Sequence, residues 1–344
     1  MPMFPQSYQI QVVIGVAIFG LLAGFCPGVA TSAATEKPQF RQAIAGSVTA
    51  VAPSLVLKQQ FEAHDTAVTR IHYSPDGNYL VTSFADGVAK LWTNSGKAIA
   101  EFRGQKSPMF NANFSANGQR IITTGYDGTI RIWSTAGQLI QEIQAHRAAV
   151  ADALFSPDGQ RIITCSDDGQ TKILTLTGEE ISKTIRPGTA RNLGYSPDGQ
   201  LLASTSDSGS VQLIAPAGNV VTEIAAGQGR LNNVAFSPDH QKLVTAGVDG
   251  TARVWTISGQ RILTLKVVNQ GWVNSAQFSP NAQQLATASD DGIIRLWNSS
   301  GKLLTSLSLG QARITSLSFS PDGKQLAASG GNGKVWILSL EPQL

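Results

Sequence analysis

One short phrase recurs seven times along the 344-residue chain at a nearly constant interval. SPDG at Ser74–Gly77 returns as SANG at 115, SPDG at 156 and 196, SPDH at 237, SPNA at 279 and SPDG at 320. The gaps between the leading serines are 41, 41, 40, 41, 42 and 41 residues. A period in the forties, in units rich in β-branched and turn residues, is the pattern of a β-propeller with four strands per blade. The expected fold is therefore all-β, a seven-bladed propeller with four antiparallel strands per blade. Such a ring takes up most of a chain that could otherwise hold two ordinary domains.

Each unit reads alike. A first strand such as VTRIHYS (68–74) ends at the Ser-Pro-Asp-Gly turn, where Pro presets φ and Asp and Gly accept turn geometry. A second strand follows, as in NYLVTSF (78–84). Twelve residues after each leading serine stands a second turn ending in Gly: Asp86-Gly87, Asp127-Gly128, Asp168-Gly169, Ser208-Gly209, Asp249-Gly250, Asp291-Gly292 and Asn332-Gly333. Asx-Gly between two strands predicts a type I′ hairpin tip. A third strand shows apolar alternation (VAKLW, 88–92; TIRIW, 129–133), and a polar turn leads to a fourth such as AIAEF (98–102).

These units resemble the WD-repeat family, in its very regular prokaryotic form, over roughly residues 55–340. The family's third-strand Trp stands at Trp92, Trp133, Trp255 and Trp297, whereas Leu174 and Ile214 replace it in units three and four, and Trp336 falls two residues early. The resemblance implies a structural hydrogen-bonded set of His, Ser/Thr, Asp and Trp, complete only in unit one as His64, Thr82, Asp86 and Trp92. Unit three keeps His146, Thr164 and Asp168 without the Trp, and Gln105 and Gln311 stand near the His position elsewhere.

Ring closure is also legible. VLKQQF (56–61), before the first full unit, matches the fourth-strand segment, and the chain ends after a third strand. The N-terminal strand is therefore expected to complete the last blade, since an open ring would leave unpaired edges.

The N-terminus is a separate matter. Residues 1–35 carry no charged side chain, and Val12–Ala30 is an uncharged run of 19 residues, long enough to span a bilayer as a helix. It also fits a secretory signal with small residues at Thr31–Ala34 for cleavage, although no basic residue precedes Lys37. The expected organisation is a signal peptide or membrane anchor over 1–35, a linker over 36–54, the propeller over 55–340 and a tail over 341–344. The ring is then exported to periplasm or lumen, or tethered to a membrane by residues 12–30.

Composition argues against several chemistries. The charged fraction is 14% and the net charge +3, so no basic field points to nucleic acid. Cys26 and Cys165 sit in different kinds of segment and make no disulfide framework. The four histidines form no zinc spacing, and no GxSxG, P-loop or GxGxxG occurs. No metal, cofactor or catalytic set is expected; only Arg70, Asp152 and His72 are candidates for chemistry in a central channel. Most aspartates occupy the two turns. Lys90, Arg131, Lys172, Arg253 and Arg295 on the third strands read as a solvated face rather than a binding stripe.

First strands carry two further patterns. Four residues before each serine stand Arg70, Asn111, Asp152, Asn192, Asn233, Ser275 and Ser316; one before it stand Tyr73, Phe114, Phe155, Tyr195, Phe236, Phe278 and Phe319. The two positions face opposite ways. In the fold that the resemblance implies, the polar set lines the channel and the aromatics pack between blades.

Function is sought where the repeat is broken. Seven residues before the serine stand Ala67, Pro108, Ala149, Thr189, Arg230, Trp272 and Arg313. The family resemblance places this loop and the second turn on the usual partner-binding face. Arg230, Trp272 and Arg313 fall in three successive blades and are of the types enriched in hot spots. Arg191, Tyr126 and Asp290 are neighbouring candidates. The alternative is a Trp packed under its own loop beside two unrelated arginines. The favoured reading is a non-catalytic, monomeric interaction scaffold for a protein partner with acidic and apolar groups; a small-ligand or glycan sensor and an enzyme using the central channel are the alternatives.

Overall fold

The computed structural model describes residues 53–104, 108–186, 188–267 and 271–342. The uncharged run at 12–30, most of the linker, Cys26 and Gln105 lie outside the described residues. Among those described, no helix is long and apolar enough to cross a membrane.

Among the described residues, twenty-eight strands, β1–β28 in chain order, form seven separate four-stranded antiparallel sheets. The first complete blade runs β2 (Val68–Tyr73), β3 (Tyr79–Phe84), β4 (Val88–Thr93) and β5 (Ala98–Arg103). The second strand is almost wholly buried, because a neighbouring blade covers each of its faces. In β5 only Phe102 is fully buried, and Ile99 remains exposed. That asymmetry explains the apolar second strands and the mixed fourth strands.

The core lies between blades. One cluster joins Val81, Leu91 and Phe102 of the first blade to Met109, Phe114, Ile121 and Trp133 of the second. The aromatic at the end of each first strand acts as a wedge: Phe114, Phe155, Phe236 and Phe319 all sit in such clusters. Each ring brings roughly 150–250 Å² out of water, several kcal/mol gross per blade at about 25 cal/mol per Å².

Closure follows the expected route. β1 (Pro53–Glu62) pairs antiparallel with β28 (Lys334–Pro342), from Pro53 opposite Pro342 to Glu62 opposite Lys334. It is the outer strand of the last sheet, whose order is β1-β28-β27-β26. Trp336, two residues early, turns to this strand: its Nε1 donates to Gln60 Oε1 at 3.2 Å. The seam between last and first blades is stitched by side chains, with Tyr73 Oη and Asn94 Nδ2 both donating to Gln325 Oε1 at 3.1 and 2.9 Å.

Both turns are built by short polar side chains. At the first, Ser74 Oγ donates to Asp76 Oδ1 at 2.5 Å and accepts from the Tyr79 amide at 2.9 Å, and Asp76 Oδ1 also accepts from the Asn78 amide. The same bonds recur in the other six units. They hold the Asp76 carboxyl below its ordinary pKa, the serine bond contributing most.

The second turn corrects the type I′ expectation. Only the glycines there have positive φ (Gly87 92°, Gly128 78°, Gly333 80°); the aspartates do not. The glycine amide bonds back to the carbonyl three residues earlier, as Gly87 does to Phe84 at 3.2 Å, and Asp86 Oδ1 captures the Val88 amide. Glycine is needed because the outgoing loop crosses it: a Cβ on Gly169 would lie 2.8 Å from the Arg186 carbonyl.

The first-turn glycine site is filled by His240 (φ 62°) and Ala282 (φ 58°) in blades five and six. His240 Nδ1 accepts the Asp198 amide of the preceding blade at 3.1 Å, which offsets part of its strain. No such bond is open to Ala282. The left-handed penalty of ~1–2 kcal/mol exceeds the entropic cost of glycine. Ala282→Gly should therefore raise unfolding free energy by ~0.5–1 kcal/mol, read by urea unfolding; a loss would refute the strain. Closure makes its own prediction. Removing residues 1–50 should leave a folded ring, whereas removal through Phe61 should lower the melting temperature and cause association through the bared edge of β28. Equal melting and equal monodispersity of the two truncations would contradict it.

Candidate functional site

The first strands enter the channel at one face and leave at the other, so repeat phase becomes depth. Residues seven to five before the serine, at least one from every blade, surround a cavity of about 380 Å³ at the loop face together with Arg70 and Ala85. Those from four to one before it line a deeper chamber of about 290 Å³.

The deeper chamber is where Arg70, Asp152 and His72 meet. Its polar ring lines the channel, as expected, and from the second blade to the sixth it also fastens each blade to the next. Asp152 accepts from Asn111 Nδ2, from Asn192 Nδ2 at 2.8 Å and from the Leu193 amide at 2.9 Å. Asn192 Oδ1 accepts the Val234 amide at 2.9 Å, and Asn233 Oδ1 the Ala276 amide at 3.0 Å. His72 Nε2 joins at 3.1 Å from Asn111 Oδ1. Burial raises the Asp152 carboxyl against the pull of Arg70, while burial and then Arg70 lower His72 to about 4. The groups that looked available for chemistry are thus engaged in joining blades.

A second tier of ties lies above, at the position five before the serine. Thr69 Oγ1, Asn232 Nδ2, Asn274 Nδ2 and Thr315 Oγ1 donate to the carbonyls of Met109, Val273, Ile314 and Val68 on the next blade. Phe110, Ala151 and Arg191 interrupt this tier in blades two to four. Their phase was visible in the sequence, but a hydroxyl or amide there carries no mark that its acceptor is a neighbouring backbone.

The loop-face cavity gathers Arg191, Arg230, Trp272 and Arg313. The guanidinium of Arg230 lies over the Trp272 ring at 4.6 Å, and its Nε donates to Asn232 Oδ1 at 3.2 Å. Burial, with Arg191 and Arg313 as like charges, lowers the Arg230 pKa from its ordinary value. Trp272 is 38% exposed, whereas the other five tryptophans are buried. Asp290 lies behind the mouth, accepting the Trp272 amide at 3.1 Å and Asn274 Nδ2 at 2.8 Å. Arg191 pairs with Asp167 at 3.0 Å. Tyr126 is 61% exposed on a second-turn tip and does not line this cavity.

The third-strand cations are not the solvated face that the alternation implied. Arg131, Arg253 and Arg295 each bond the turn aspartate four residues back, at 3.3, 2.8 and 2.7 Å. Lys90 and Lys172 reach the carbonyls of Ala63 and Ala145 in the outgoing loops. Each sits where its chain can reach a loop carbonyl or a turn carboxylate, so it braces the loop face from within.

The histidine sets divide. In blade one His64 Nε2 meets Asp86 Oδ2 at 2.7 Å and Trp92 Nε1 donates to Thr82 Oγ1 at 2.8 Å, two separate pairs. Phe84 lies edge-on against the His64 ring at 4.6 Å, where blade three has Ser166. There His146 bridges Asp168 at 3.0 Å and Thr164 at 2.8 Å. Blade five uses Gln228, which accepts from Thr245, itself bonded to Trp255. Blade four places Arg186 there, bonded to the Ser204 carbonyl and Gln212. Gln311 is exposed and joins none of these sets.

Comparison with known proteins agrees with this geometry. A family model described as the IFT122 first beta-propeller matches residues 67–339. The chain is 59% identical over 286 residues to a WD repeat-containing protein, slr1409, of Synechocystis sp., across 83% of this chain and 88% of that protein. It is 44% identical over 204 residues to the uncharacterized WD repeat-containing protein slr1410 of the same organism, across 59% of this chain and 61% of that protein. With its seven in-phase four-stranded blades, the chain belongs to the WD-repeat β-propeller family.

Proposed function

We propose that this ring is a non-catalytic interaction scaffold that takes a protein partner on its loop face, around the channel mouth. WD-repeat propellers typically bind protein partners, which supports the class. The observation that carries the choice of face is the half-exposed Trp272 held beneath Arg230, with Arg313 at the same cavity. Residues that recur in every blade are spent on turns, wedges and ties between blades. These three do not recur. Aromatic and arginine side chains at a partly desolvated mouth are the usual anchors of an interface.

Trp272→Ala should weaken capture of the native partner by ~2 kcal/mol or more, the size expected of a hot spot. Its melting temperature should fall far less than that of Trp133→Ala, whose ring is buried and bonded to Thr123 at 2.9 Å. Recovery of the partner by pull-down and thermal melts of both variants check this. If Trp272→Ala unfolds the ring as readily as Trp133→Ala, the residue is packing and the site is lost.

The ring also acts at a membrane or beyond it, and the uncharged run at 12–30 supports this part of the reading. Fractionation followed by N-terminal sequencing of the native protein should find either an intact chain with membranes or a soluble chain cut near Ala33. An intact Met1 in the cytosol would overturn both forms.

A further inference from the structure

Several arginines of the ring end on carboxylates: Arg131, Arg253 and Arg295 on turn aspartates, Arg191 on Asp167. Arg230 and Arg313 have no ion pair among the described residues. Among the described residues, four arginines line the loop-face cavity, Arg70, Arg191, Arg230 and Arg313, and no Asp or Glu lines it. Asp207 and Asp290 nearby are turned to the backbone amides of Thr189 and Trp272. The mouth therefore holds more positive charge than its own residues neutralise.

The channel is also crossed at mid-height by one side chain. Arg70 Nη2 donates to the carbonyl of Asn232 at 2.9 Å, on a blade 162 residues further along the chain. Among the described residues, Arg70 alone lines both the mouth and the deeper chamber. Beneath it, Asp152 already accepts three hydrogen bonds from two asparagines and an amide. A segment entering from the loop face therefore meets the Arg70 guanidinium between the mouth and the deeper chamber.

Resting on the loop-face reading above, we propose that the mouth is a receptor for one oxyanion group carried by the partner. That group is an Asp or Glu side chain or a phosphorylated one, with Arg70 as terminal contact and Arg230 and Arg313 at the rim. Guanidinium forks match carboxylate and phosphate oxygens two at a time. An anion between them also relieves the repulsion among like charges in a cavity of lowered dielectric. Trp272 supplies the apolar surface for the residue next to the acid.

The test uses the full chain and tryptophan fluorescence. Trp272 is the one tryptophan that is not buried, so quenching by iodide reads this mouth. The probes are a capped hexapeptide of alternating leucine and glutamate, its glutamine counterpart, and a version with phosphoserine in place of glutamate. The glutamate or phosphoserine peptide should shield Trp272 from iodide and the glutamine peptide should not; the tighter of the two anionic peptides identifies the source of the oxyanion. Arg70→Met should weaken the anionic peptide about tenfold, the scale of one charge-assisted hydrogen bond, and Arg70→Lys should recover part of the loss. Should Arg70→Met melt before binding is measured, Arg313→Gln carries the test with a smaller loss and a shallower salt dependence. Folded Arg70→Met that binds like wild type, Arg313→Gln with unchanged affinity and salt dependence, or a glutamine peptide that protects equally, would overturn the proposal. The loop-face reading fails on a different result, undiminished capture of the native partner by Trp272→Ala. Loss of that partner in Trp272→Ala, without any binding of the acidic peptides, removes only the oxyanion receptor.

Discussion

Everything in this molecule depends on one antiparallel pairing, that of β1 with β28. It joins residues about the whole length of the ring apart, with Pro53 opposite Pro342 and Phe61 opposite Val335. A single four-stranded sheet buries too little to stand alone, and a stack of such sheets leaves a bare face at each end. Sharing the last blade between the two ends of the chain removes both problems. Each wedge aromatic then has a neighbour on both sides, and each second strand is covered on both faces.

Closure also turns repeated side chains into rings of bonds. A polar residue four before the serine finds a backbone amide on the next blade only because the next blade is held at fixed distance and tilt. Asp152, Asn192 and Asn233 use that geometry in succession. Thr315 completes the upper tier by reaching Val68 across the seam at 2.7 Å. These groups are buried, and an unpaired one would cost about 1–3 kcal/mol, so the ties favour one blade arrangement over others. The same engagement leaves little polar capacity in the deeper chamber for other uses, and it moves the chemically open groups to the mouth.

At the mouth the scaffold's economy stops. Third-strand arginines are folded onto turn carboxylates and brace the loops, whereas Arg230 stacks on Trp272 and Arg313 has no ion pair among the described residues. Stacking of a guanidinium on an indole contributes about 0.5–2 kcal/mol, enough to hold Trp272 in place while leaving its outer face to solvent. A rigid ring carrying a pre-positioned aromatic and unpaired cations loses little entropy on binding, which favours its use as a platform.

Much of this was legible in the sequence because a repeat of constant period maps phase to position. The blade number and the shared height of Arg230, Trp272 and Arg313 follow from spacing, since equivalent residues in a ring have equivalent places; the closing strand follows from the match of residues 56–61 to a fourth strand, and the wedge aromatics from the family resemblance. Direction and pairing do not follow from spacing. Tyr126 has the right phase yet stands out from the cavity, Phe84 parts His64 from Thr82, and the second turns are set by a crossing loop carbonyl that no local pattern reveals. Arg70 could be recognised as a channel residue, but its bond to the Asn232 carbonyl exists only once non-adjacent blades face each other across a closed ring. The sequence by itself determined the scaffold and the height of the candidate site; the tertiary structure decided which of its charges are neutralised and which side chain crosses the channel, because those depend on contacts between residues far apart in the chain.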